Sequence, residues 1–153
     1  MTPTAGEVHT QAFFLAADAG YEQAMSAYED ALEIVADAKS AVFEAREALR
    51  DIEAEYVMNG GHGQWAISPG MTEKKRDLVV RVGLKNWQPY QDAKRVLATA
   101  ERELDRAEAR RDTAANRMAL YRRRMDGFLA AANQRAALLS AHTEGTKPRR
   151  NER

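Results

Sequence analysis

Side chains able to do chemistry are few and scattered in this chain of 153 residues. His9, His62 and His142 are separated by gaps of 53 and 80 positions (62 − 9 and 142 − 62), so no two share a helical turn. Cysteine is absent, which excludes disulfides, thiol nucleophiles and cysteine-based zinc or iron–sulfur centres. Carboxylates are plentiful, and Glu44/Glu47 and Glu101/Asp105 share helix faces. Such pairs can perform acid–base work or hold a metal, but a di-metal centre in a helical bundle calls for a Glu-x-x-His motif. None occurs, and solvated charge on a polar face accounts for the pairs. Asn59-Gly60-Gly61-His62-Gly63 resembles a phosphate-cradling glycine run, yet it follows a helical pattern rather than a strand and lacks the lysine of a P-loop. It is expected to be a turn, with His62 exposed. No catalytic, cofactor-binding or metal-ligating residue is expected, and the chain is expected not to be an enzyme.

Charge and aromatic placement point to association instead. Lys plus Arg and Asp plus Glu balance at 23 each. The balance hides a segregation. Residues 1–72 carry twelve acidic and three basic side chains (3 − 12 = −9), and residues 73–153 carry eleven and twenty (20 − 11 = +9). An acidic helix lying beside a basic one neutralises both, because flanking charges set partner and orientation in coiled coils. The sharper alternative is an anionic partner for the arginines. Arg110, Arg111 and Arg117 precede the run Arg122-Arg123-Arg124, and Arg110, Arg117 and Arg124 recur every seven residues on one face. Arg110, Arg117, Arg123 and Arg124 are therefore candidate contacts to an anionic partner, nucleic acid among them, since a basic stripe is what phosphate binding needs. Asp18, Glu22, Glu29 and Asp30 lie near this stretch in an antiparallel hairpin and are expected to engage part of it. Trp65 and Trp87 are expected to cap the hairpin end, with an interaction hot spot as the alternative.

The elements that position these groups are helices. The chain is 30% charged and only 7% aromatic, with four prolines, a composition of long amphipathic helices. Residues 1–20, interrupted by Gly6 and Gly20, read as a loosely helical arm. Over 21–58, Ala24, Ala27, Ala31, Ile34, Ala38, Ala41, Ala45, Ala48 and Ile52 recur at alternating three- and four-residue spacing, the mark of a coiled-coil seam. Tyr28, Leu32, Val35, Val42, Leu49 and Tyr56 form a second stripe beside it. Asn59-Gly60-Gly61 stops the helix, because these residues accept the left-handed conformation of helix ends. A connection over 59–88 holds a short helix at 73–85, capped by Thr72 and broken by Gly83 and Asn86-Trp87-Gln88-Pro89. A long helix follows over 89–141, with a 3–4 ladder from Tyr90 through Leu97, Ala107, Met118 and Phe128 to Leu139. At 1.5 Å per residue the two long helices would span about 57 and 80 Å. Residues 142–153, basic and without an apolar anchor, read as a flexible tail.

The predicted fold is thus all-α: a long antiparallel, coiled-coil-like helical hairpin with a short helix at the turn. The first twenty residues hold no Lys or Arg, and no apolar run approaches the roughly 20 residues of a membrane span. The expectation is a cytoplasmic protein with no membrane partner. One hairpin seam uses one stripe, so Leu32, Val35, Val42 and Leu49 are expected to be left over for self-association as a homo-oligomer, most simply a dimer of hairpins.

The layout also resembles a family. Glu55-Tyr56-Val57 ends a long helix. After a glycine-containing loop comes Thr72-Glu73-Lys74-Lys75-Arg76-Asp77-Leu78. A Tyr90-centred entry then leads to Ala100-Glu101-Arg102-Glu103-Leu104-Asp105-Arg106-Ala107-Glu108-Ala109. Over residues 21–135 this resembles small helical-hairpin proteins of tailed bacteriophages, often encoded near recombination or replication genes. The resemblance implies a non-enzymatic interaction protein in the host cell cytoplasm. It would bind a host or phage partner in DNA metabolism or host takeover. A virion or assembly component and a direct DNA-binding accessory are the alternatives.

Overall fold

The computed structural model describes residues 5–145, with side chains described at Gly6 and from Gln11 to His142. Among them the elements are α1 (Ala5–Met58), a 3-10 turn (Gly63–Trp65), α2 (Glu73–Asn86) and α3 (Gln88–Gly145), with no strand. The fold is an all-α helical hairpin in which α1 packs against α3. No described helix is long and apolar enough to cross a membrane. The chain divides into two compact units, residues 30–111, and residues 1–29 with 112–153.

In the 30–111 unit the seam of α1 is a heptad ladder. Ala31, Val35, Ala38, Val42, Ala45, Leu49, Ile52 and Tyr56 are all buried or half-buried. The facing ladder of α3, from Tyr90 through Leu97, Ala100 and Leu104 to Ala107, is likewise buried or half-buried. Val42, Ala45 and Ala100 form its centre, with Leu97 and Leu104 packed around them. Two ion pairs flank the seam, Lys39 with Glu108 at 4.0 Å and Arg46 with Glu101 at 3.1 Å. Both are solvent-exposed, so each adds little beyond marking the register.

The end of α1 is a Schellman stop. Gly61 N–H donates to Tyr56 O at 2.9 Å and Gly60 N–H to Val57 O at 3.1 Å, with both glycines at positive φ. The loop then folds back, Ile67 N–H donating to Gly60 O at 2.7 Å. Thr72 stands at the N-cap of α2, but its side chain makes no capping bond; Arg76 N–H bonds its carbonyl at 2.9 Å. Trp87 alone separates α2 from α3. The Gln91 side chain closes this junction by donating to Lys85 O at 2.7 Å.

Several predicted boundaries are corrected. The arm over 1–20 is not separate, because α1 begins by Ala5 and runs unbroken through Gly20. That glycine is a packing device: a Cβ there would strike the Tyr121 ring. Gly83 does the same for α2, which continues to Asn86 rather than breaking, because Tyr56 and Trp65 crowd the place of the missing Cβ. α3 starts at Gln88, so Pro89 is its second residue, where its missing N–H is still an orphan of the first turn. α3 continues to Gly145, so 142–145 of the expected tail are helical, and the rest of that tail lies outside the described residues.

Gly83→Ala should lower stability by about 1–3 kcal/mol through overpacking on Tyr56, measured by urea unfolding followed at 222 nm. Adding Tyr56→Phe, which removes the atom struck first, should recover part of the loss. Gly127→Ala in α3, where a Cβ meets open space, should instead stabilise by roughly 0.5–1 kcal/mol.

Candidate interaction surfaces

Tyr56 organises the capped end of the 30–111 unit. It is 1% exposed and the largest fully buried side chain among the described residues. Its ring lies 5.1 Å from that of Trp87 at 53°, the tilted geometry aromatic pairs prefer. Its hydroxyl has no hydrogen-bond partner and abuts Gly83. Trp65 and Trp87, the predicted interaction aromatics, are both half-buried in this cap. Tyr56 itself was legible only as a member of the second stripe. Beside the cap is a charged cleft of about 410 Å³ between α1, α2 and α3, lined by Glu53, Arg81, Lys85, Tyr90 and Lys94. Desolvation raises the Tyr90 phenol above its ordinary value, and the charge of Glu53 and a hydrogen bond with it add to the shift. Among the described residues no cluster of His, Asp and Glu could hold a metal ion. His62 is exposed in the loop.

The predicted self-association stripe is corrected by burial. Val35 and Val42 are each 4% exposed and Leu49 is half-buried, all within the single chain. Only Leu32, at 42%, stays outside. The reason is the seam's true composition. It takes alternate members of both stripes, Ala31, Ala38 and Ala45 from one and Val35, Val42 and Leu49 from the other. Exposed beside this seam is the other half of the alanine ladder, Ile34, Ala41 and Ala48, with Val96 of α3 near Ala41 and Ala48; Phe43, Val57, Met58 and Leu78 are exposed elsewhere on the unit.

The unit of residues 1–29 and 112–153 also exposes apolar side chains. Phe13 stacks on Phe128 at 6.5 Å, and Tyr121 packs over Gly20, which fixes an antiparallel register with index sums of 141 (13 + 128, 20 + 121). On α1 the described apolar seam reaches Phe14. On α3 the ladder continues past Phe128 to Ala132, Arg135 and Leu139, all exposed. An apolar groove of about 760 Å³ in this unit is lined by Phe14, Phe128, Leu129, Ala132 and Leu139. Phe13, Leu15, Leu120 and Leu138 are exposed on the same unit.

The arginine candidates are all on the surface: Arg110 in the 30–111 unit, Arg117, Arg123 and Arg124 in the other. Among the described residues Arg110, Arg117 and Arg123 make no ion pair. Arg124 lies over its own Tyr121 ring at 5.6 Å.

Val42→Glu should abolish most of the helical signal at 222 nm, because it places an unpaired charge in the seam at a cost of about 3–5 kcal/mol. Leu32→Glu should change unfolding stability by less than about 0.5 kcal/mol. Equal tolerance of both would put Val42 outside the core.

Compared with known family models, curated proteins and solved structures, the chain matches none of them.

Proposed function

We propose that this chain is a non-enzymatic helical interaction protein that self-associates in the cytoplasm and presents helix faces to a protein partner. One observation carries the proposal: in the unit of residues 1–29 and 112–153, Leu129, Leu138 and Leu139 are exposed beside an apolar groove. Monomeric soluble proteins seldom leave so continuous an apolar strip uncovered. Burying each such side chain is worth about 1.5–3 kcal/mol, enough in sum to drive association. The resemblance to hairpin proteins of tailed bacteriophages supports a role in phage DNA metabolism or host takeover, with a virion or assembly role as the alternative.

A second reading, direct binding of nucleic acid, draws on the exposed Arg110, Arg117 and Arg123, which lack ion-pair partners among the described residues. It is the weaker reading, because aromatic side chains do not alternate with these arginines as they do on single-strand stacking platforms.

Light scattering across a hundredfold concentration range tests self-association. The expected mass rises above that of one chain as concentration increases. A single-chain mass throughout would contradict the proposal.

A further inference from the structure

Seven-residue spacing places two charge ladders of the unit of residues 1–29 and 112–153 on opposite sides, with Arg122 and Asp126, which follow Tyr121 and Met125, on the side of the acidic one. On α1, Leu15, Asp18, Glu22, Met25 and Glu29 each directly follow a seam residue: Phe14, Ala17, Tyr21, Ala24 and Tyr28. They form one 3–4 ladder with three carboxylates and no cation. On α3, Arg117, Leu120, Arg124, Gly127 and Ala131 each directly precede a seam position: Met118, Tyr121, Met125, Phe128 and Ala132. They form a second ladder with two guanidiniums and no carboxylate. In an antiparallel pair, residues that follow seam positions on both helices lie on one side. Lys39 and Glu108 do so in the other unit, following Ala38 and Ala107, and they meet. The acidic ladder of α1 and the arginine ladder of α3 therefore lie on opposite sides and cannot neutralise each other within one chain. Among the described residues Glu22, Glu29 and Arg117 have no ion-pair partner, as this geometry requires.

The two ladders match each other rung for rung. Two antiparallel helices in contact keep a nearly constant sum of residue numbers along their length. Glu29 with Arg117, Glu22 with Arg124 and Leu15 with Ala131 all sum to 146 (29 + 117, 22 + 124, 15 + 131). Met25 with Leu120 and Asp18 with Gly127 sum to 145 (25 + 120, 18 + 127). Opposite charges fall together twice. Exposed Met25 meets exposed Leu120, and exposed Leu15 meets a small residue. No like-charge rung occurs in this register.

We infer that the acidic ladder of α1 in one copy docks on the arginine ladder of α3 in a second copy of this chain. The inference rests on the self-association proposed above and adds a charged docking surface to the apolar groove. Each copy offers one face and receives on the other. The contact is heterologous, so assembly passes beyond two copies into a ring or an open stack rather than closing as a pair.

The test uses the full chain and two exposed-face variants, Glu22→Arg with Glu29→Arg, and Arg117→Glu with Arg124→Glu. Helicity at 222 nm should be unchanged in both, because all four residues are exposed. Sedimentation velocity should show the wild type above the mass of two chains and each variant alone at the mass of one chain. An equimolar mixture of the two variants should recover assembly, because every contact between unlike variants is again complementary. Variants that assemble like the wild type, or a mixture that stays monomeric, would overturn this surface while leaving self-association standing. A monomeric wild type would overturn both. If the arginine variant assembles normally but loses salt-sensitive binding to a short duplex DNA, the arginines serve nucleic acid and the inference falls.

Discussion

Between residues 31 and 56 of α1 the positions turned toward α3 alternate small and large: Ala31, Val35, Ala38, Val42, Ala45, Leu49. α3 answers with Leu97, Ala100, Leu104 and Ala107, again large and small in turn. Alternation on both helices lets each large side chain sit over an alanine of its partner, so the packing is close without strained rotamers. The rest of the 30–111 unit follows from this constraint. It fixes the register at which Lys39 meets Glu108 and Arg46 meets Glu101. It also consumes Val35 and Val42 and leaves Ile34, Ala41 and Ala48 outside.

Where the ladder ends, glycine sets how closely elements approach. Tyr56 is the last seam residue before the stop, and it can lie flush under α2 only because Gly83 has no side chain. Its buried hydroxyl, unpartnered among the described residues, costs on the order of 1–3 kcal/mol. The ring's packing on Trp87 and its burial offset that cost. Gly20 plays the same part for Tyr121. Both glycines sit within helices, where the residue alone costs roughly 0.5–1 kcal/mol relative to alanine, and close packing is what that cost obtains.

The all-α class, the stop at Asn59-Gly60-Gly61 and the ladder of α3 were legible because each rests on local spacing or local backbone freedom. What failed was the choice between two adjacent stripes on α1. Ala27, Ile34, Ala41 and Ala48 are apolar at the same seven-residue spacing as Tyr28, Val35, Val42 and Leu49, and periodicity alone cannot say which row faces the partner. Burial area decides it, because valine and leucine gain more from contact than alanine does. Gly20 and Gly83 misled for a related reason: glycine marks both breaks and close approaches, and only the partner ring distinguishes them. The charge segregation was visible, but its division between two sides of a helix pair needed the register set by Phe13 and Phe128.

A single chain that folds α1 against its own α3 is the premise of the seam, of the exposed ladders and of the proposed assembly. Carbodiimide cross-linking at low concentration, read by mass spectrometry, tests it most directly, because it joins an amine to a carboxylate only where the two touch. The account predicts an amide between Lys39 and Glu108, 4.0 Å apart, in material that runs at the mass of one chain. The same link found only in cross-linked dimers, or its absence while other lysines react, would contradict the intrachain seam.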